Sequence, residues 1–70
     1  MGVEDGKRYF IWWNGDEARP GCYVGEFGFV WWRREALVFD SMFQADEEIS
    51  RRGWINTTDC SRPGTAYVTE

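Results

Sequence analysis

Four of the five tryptophans in this chain occur as adjacent pairs, Trp12-Trp13 and Trp31-Trp32. Successive side chains in a β-strand point to opposite faces. A pair lying in a strand therefore sends one indole into a core and the other outward. A single sheet covered on one face would then carry aromatic surface on the other, and exposed aromatic surface marks contact with a partner. The chain also lacks histidine, which removes the commonest general base, metal ligand and pH switch together. Both features point toward binding and away from catalysis.

Seventy residues make one domain, 1–70, near the lower limit for a chain that folds on its own core. Thirteen aromatic side chains explain how so short a chain manages it, since each buries roughly 150–250 Å². No stretch is apolar for long enough to span a bilayer, and Met1–Lys7 is too polar for a signal peptide. The expectation is a soluble protein of the bacterial cytoplasm, with residues 1–7 a frayed start. The formal net charge of −4 repels the phosphate backbone, so direct nucleic-acid binding is not expected. Seven of the eight basic residues are Arg, the more interface-prone cation. Cys22 and Cys60 are isolated thiols with no C-x-x-C motif and no histidine to complete a zinc site. They read as reduced and buried, a disulfide between them being the alternative. No metal or cofactor is expected.

Arg8–Trp13 is rich in aromatic and β-branched residues and reads as a strand, with Tyr9, Ile11 and Trp13 on one face and Phe10 and Trp12 on the other. Turn residues at Asn14-Gly15 and Pro20-Gly21 lead into a second strand, Cys22–Phe27, with Gly25 and Gly28 marking a bulge or bend. Phe29–Trp32 and Ala36–Phe39 read as further strands joined by a tight turn at Arg33–Glu35, a single bent strand over Tyr23–Trp32 being the alternative. Ser41 and Gln44 fit a capping box, and Gly53 fits a C′ position, so a helix is predicted over about residues 42–52. Glu47–Arg51 and Glu48–Arg52 are i,i+4 pairs, and Met42, Ala45 and Ile49 form its apolar stripe. Trp54–Thr58 is a returning strand, and Ala66–Thr69 an edge strand or a tail. The predicted fold is α+β: a small antiparallel sheet of about four to five strands with one helix packed on one face.

Arg and Trp are the residues most enriched at binding hot spots. The turn Arg33-Arg34 beside Trp32 is therefore the leading contact site, with Trp12 supplying an indole on the open face. The carboxylates Asp16-Glu17, Asp46–Glu48 and Glu4-Asp5 read mainly as solvating charge, or as groups imitating phosphates toward a basic groove. Asp16 and Glu17 join the candidate contact set on that second reading. No catalytic set is identifiable.

Tyr9-Phe10-Ile11-Trp12-Trp13-Asn14-Gly15, then Arg19-Pro20-Gly21-Cys22-Tyr23, then Phe39 before a capped helix, is similar in rhythm to the hybrid-binding module at the N-terminus of some ribonucleases H. The similarity covers roughly residues 8–50. That module carries a helix where this chain has Phe27–Trp32, and it is basic where this chain is acidic, so no family assignment follows. In size and charge the chain also resembles the small inhibitors that phages and mobile elements encode, anti-CRISPR proteins among them. The function expected is a non-catalytic protein-binding module that blocks a larger nucleic-acid-handling host protein, sterically or by mimicry. That partner would present a basic groove. Two alternatives stay open: an aromatic platform for carbohydrate or single-stranded nucleic acid, and a structural homodimer.

Overall fold

The computed structural model describes residues 7–59 and 61–70. Glu4-Asp5, and Cys60 with its pairing to Cys22, lie outside the described residues. Five strands form one sheet: β1 (Phe10–Gly15), β2 (Pro20–Val24), β3 (Phe29–Val30), β4 (Ile55–Asn56) and β5 (Thr65–Thr69), in the order β3-β2-β1-β5-β4. A 3-10 turn at Arg33–Glu35 and helix α1 (Met42–Arg51) lie between β3 and β4. The architecture is α+β with one helix on one face. The sheet is mostly antiparallel but mixed, because β4 pairs with β5 in parallel. After Thr58 the chain returns to enter β5 beside the start of β4, so the two run the same way.

Strand alternation sets the two faces. Tyr9, Ile11 and Trp13 face α1 and join Cys22, Val24 and Ala66 in the core, where Ala45 and Ile49 of the helix meet them. Burying Ile11 and Ile49 completely stabilises the fold by roughly 1.5–3 kcal/mol for each side chain. Phe29 stacks on Trp13 at 4.3 Å and on Trp54 at 5.9 Å. Arg19 lies over the Phe29 ring and Arg52 over the Trp54 ring.

Several elements differ from the sequence expectation. The second strand ends at Val24, because Gly25 N–H donates to Gly28 C=O at 2.6 Å and closes a turn. That turn also rules out one bent strand over Tyr23–Trp32. Ala36–Phe39 forms no strand. Leu37 N–H donates to Val24 C=O, and Phe39 makes a two-hydrogen-bond bridge to Tyr9, filling the place beside β1 that β2 vacates. β5 is an interior strand, neither an edge nor a tail, and the edge is the two-residue β4. Asn14, read as a turn residue, lies within β1. Its side-chain amide donates to Thr57 C=O and to the buried Thr65 hydroxyl, both at 2.9 Å.

The helix termini follow local rules. The Ser41 hydroxyl accepts from Gln44 N–H at 3.2 Å, while the Gln44 amide oxygen accepts from Asp40 N–H, one residue earlier than a capping box requires. At the C-terminus Gly53 has φ +83°. Gly53 N–H donates to Ser50 C=O and Trp54 N–H to Ile49 C=O, the paired closure of a Schellman motif. Met42, placed in the apolar stripe by its spacing, is exposed; the sheet reaches only Ala45 and Ile49.

Glu48 pairs with Arg52 at 2.7 Å as expected. Arg51 does not pair with Glu47; it turns to Glu48, three residues earlier. Hydrogen bonds from Arg52 first and Arg51 second hold the Glu48 carboxyl below the usual carboxylate range. A carboxylate with a lowered folded pKa contributes stability that is complete above its unfolded pKa of about 4.3 and lost as pH falls through the folded value. Glu48→Gln removes that contribution, about 0.5–1 kcal/mol for a partly exposed pair. Urea midpoints at pH 6 and pH 3 check it: the variant should lose less stability between them than wild type. Equal losses would show that the pair contributes nothing.

Candidate protein-contact surface

The face of the sheet opposite α1 carries a continuous aromatic row. Trp12 pairs with Tyr23 across the β1–β2 ladder, and their rings meet edge to face at 5.0 Å. Tyr23 meets Phe10 edge-on at 6.4 Å, and the Arg33 guanidinium lies 4.5 Å from the centre of the Phe10 ring. Gly21 makes the Trp12 position available: a Cβ there would sit 3.0 Å from the indole. Phe10 and Trp12 share this face, as the alternation requires, but Phe10 is only 6% exposed and Trp12 is half-buried. The outer face is thus a partly covered row that leads to Arg33.

The open aromatic surface lies where the row ends. Phe27 is 96% exposed at the tip of the β2–β3 turn, Trp31 62%, Trp32 58% and Val38 51%. With Phe29 at 36%, five large apolar side chains face solvent within twelve consecutive residues. The backbone that presents them is pinned. Glu35 N–H donates to Trp32 C=O and Ala36 N–H to Arg33 C=O, both at 3.0 Å, and Ala36 is buried. With Leu37 tied to Val24 and Phe39 tied to Tyr9, the Arg33–Glu35 turn is a projection from a rigid scaffold, the usual setting for a contact loop.

Its charges are poised rather than paired. The Arg34 guanidinium lies 5.4 Å from the Trp32 ring centre. Both ion pairs among the described residues belong to Glu48, so no carboxylate of the described residues holds Arg33 or Arg34. Cation–π seating fixes the guanidinium planes while their N–H edges stay available.

The structure therefore brings Trp32, Arg33 and Arg34 together and joins Trp12 to them through Tyr23 and Phe10. It separates Asp16 and Glu17 from them. Those two occupy the β1–β2 turn at the far end of β1, about 20 Å away at roughly 3.3 Å per residue. Asp16 is occupied there: its Oδ1 accepts from Ala18 N–H at 2.8 Å and Arg19 N–H at 2.9 Å. Sequence reading missed Phe27, Val38 and Phe43 as exposed apolar residues. The available signal for Phe27 was an apolar residue inside Gly25-Glu26-Phe27-Gly28, a composition that belongs to a turn.

Burial pushes the Cys22 thiol pKa up, against a smaller opposing pull from Arg19, which keeps it protonated and unreactive. Among the described residues no group of three or more Cys, Asp and Glu side chains is placed to hold a metal ion, and no helix is long and apolar enough to cross a membrane. Comparison with protein-family models, curated proteins and solved structures finds no match for this chain.

Proposed function

We infer that this chain is a non-catalytic protein-binding module whose contact surface is the Phe27–Val38 segment. The observation that carries the reading is the hydrogen-bonded turn that displays Trp31 and Trp32 beside two arginines that no carboxylate of the described residues holds. Exposed indoles are costly in water, and Trp with Arg is the pairing richest in binding energy at interfaces. The exposed apolar side chains of the segment amount to roughly 500–600 Å², in the range of a functional patch. Occlusion of a larger partner fits better than mimicry of nucleic acid, because the carboxylates are split between the β1–β2 turn and the helix. The net charge of −4 favours encounter with a basic target, and Arg33 and Arg34 then require acidic or carbonyl groups at the contact itself. An inhibitor acting on a nucleic-acid-handling protein is the concrete form of this proposal.

The test is capture from bacterial lysate on immobilised wild type, with Trp31→Ala/Trp32→Ala and Arg34→Glu run in parallel. Arg34 is the better charge variant, since Arg33 also covers Phe10. A protein retained by wild type and lost by at least tenfold on both variants is the expected result. Retention by all three would remove this surface from the interaction.

A further inference from the structure

The opposite edge of the sheet carries a second exposed patch, with the reverse charge. Met42 is 58% exposed and Phe43 70%, although both begin a helix that packs on the sheet. One turn further on, Asp46 and Glu47 are exposed as well. Spacings of four residues put Met42 above Asp46 and Phe43 above Glu47, so two apolar and two acidic side chains form one helical face. Beside it runs a shallow groove lined by Met42, Phe43, Tyr67 and Val68 together with the polar Asp46, Asn56 and Thr58, in which the Asn56 side-chain amide donates to Asp46 Oδ1. The groove is open because β4 pairs with β5 only as far as Ala66.

This face is the counterpart of the contact surface described above. There, two indoles are followed by two guanidiniums; here, Met and Phe are followed by two carboxylates. The two patches lie at opposite edges, one beside β3 and the other beside β5 and β4.

We propose that a second copy of this chain occupies the groove, placing its Trp31–Trp32 indoles against Met42 and Phe43 and its Arg33 and Arg34 against Asp46 and Glu47. The proposal rests on reading Phe27–Val38 as a protein-binding surface and names one occupant for it. Because the two patches differ, the contact is heterologous, and repetition builds an open head-to-tail chain rather than a closed pair. The acidic patch exposes roughly 250–300 Å² of apolar side chain, well below the ~800 Å² per partner of a stable interface. The association is therefore weak and concentration-dependent, and a better-fitting foreign partner displaces it from the shared surface.

Sedimentation velocity on the full chain, from about 10 µM to 1 mM, tests this with Trp32→Ala and Phe43→Ala. Both residues are exposed, and circular dichroism of each variant verifies folding. Wild type should show a mean mass that rises past the dimer, and each variant alone should remain monomeric. An equimolar mixture of the two variants keeps one intact contact, so it should form a heterodimer and nothing larger. A wild type that stays monomeric, a mass that saturates at two copies, or a mixture that fails to complement would each overturn the proposal. Lysate capture separates it from the binding-module reading. Phe43→Ala leaves the Phe27–Val38 surface intact and should still retain the foreign protein, whereas Trp32→Ala should lose it. A monomeric wild type that captures a protein through Trp32 would overturn self-association alone.

Discussion

Trp13→Ala should leave about half of the molecules or more unfolded at 25 °C. Trp13 is buried, stacks on Phe29 at 4.3 Å and stands among Ile11, Cys22 and Ala66. Truncating a buried Trp or Phe to Ala costs about 3–5 kcal/mol, the lost transfer energy plus the cavity left behind. A core of this size supplies a total stability of about 3–5 kcal/mol, so loss and reserve are comparable. The stacked row Trp13–Phe29–Trp54 also loses its buried member, which leaves Phe29 stacked on Trp54 alone. Far-UV circular dichroism with a urea titration reads the effect. Trp31→Ala is the control: its indole is mostly in solvent, and its midpoint should move by no more than about 0.5 kcal/mol. A Trp13→Ala midpoint close to wild type would mean that the core is organised around other side chains.

Gly15→Ala is the second large effect. Gly15 has φ +92° at the end of β1, and a Cβ there would lie 2.7 Å from Gly21 N, 2.8 Å from Arg19 O and 2.9 Å from Pro20 C. All three are backbone atoms of the returning strand and its turn, so none can rotate away. Conformational strain of about 1–3 kcal/mol adds to the cost of parting β1 from β2, for a total of about 2–4 kcal/mol. Gly64→Ala separates the two contributions. Gly64 has φ +74° but open space around the missing Cβ, so it pays the strain alone, about 1 kcal/mol. Equal losses in the two variants would refute the steric part of the explanation.

What could be read from the sequence was mostly local. The helix limits follow from Ser41 and Gly53, whose effects act within four residues. The inward face of β1 follows from strict alternation at Tyr9, Ile11 and Trp13. The Arg33–Glu35 turn announced itself through charge after an apolar run. Non-local pairing was not legible. Nothing near Ala66 says that β5 inserts between β1 and β4, and nothing in Ala36–Phe39 says that a competing bridge to Tyr9 replaces a strand. The same limit applied to the site. Trp32, Arg33 and Arg34 are neighbours in sequence, so their proximity was visible there. The seat of Arg33 on Phe10 joins residues 23 positions apart and depends on a register that only the fold supplies. Asp16 and Glu17 were grouped with them by charge alone, and the length of β1 separates them.

Residue-resolved hydroxyl-radical footprinting of the protein, free and bound to its captured partner, tests the central claim most directly. In the free protein Trp31, Trp32 and Phe27 should be oxidised readily and Trp13 hardly at all. In the complex Trp31 and Trp32 should be protected at least fivefold, while Ile55 at the far edge stays unchanged. Protection confined to Ile55 or the Asp16–Arg19 turn, with Trp31 and Trp32 as reactive as before, would contradict the assignment of the contact surface.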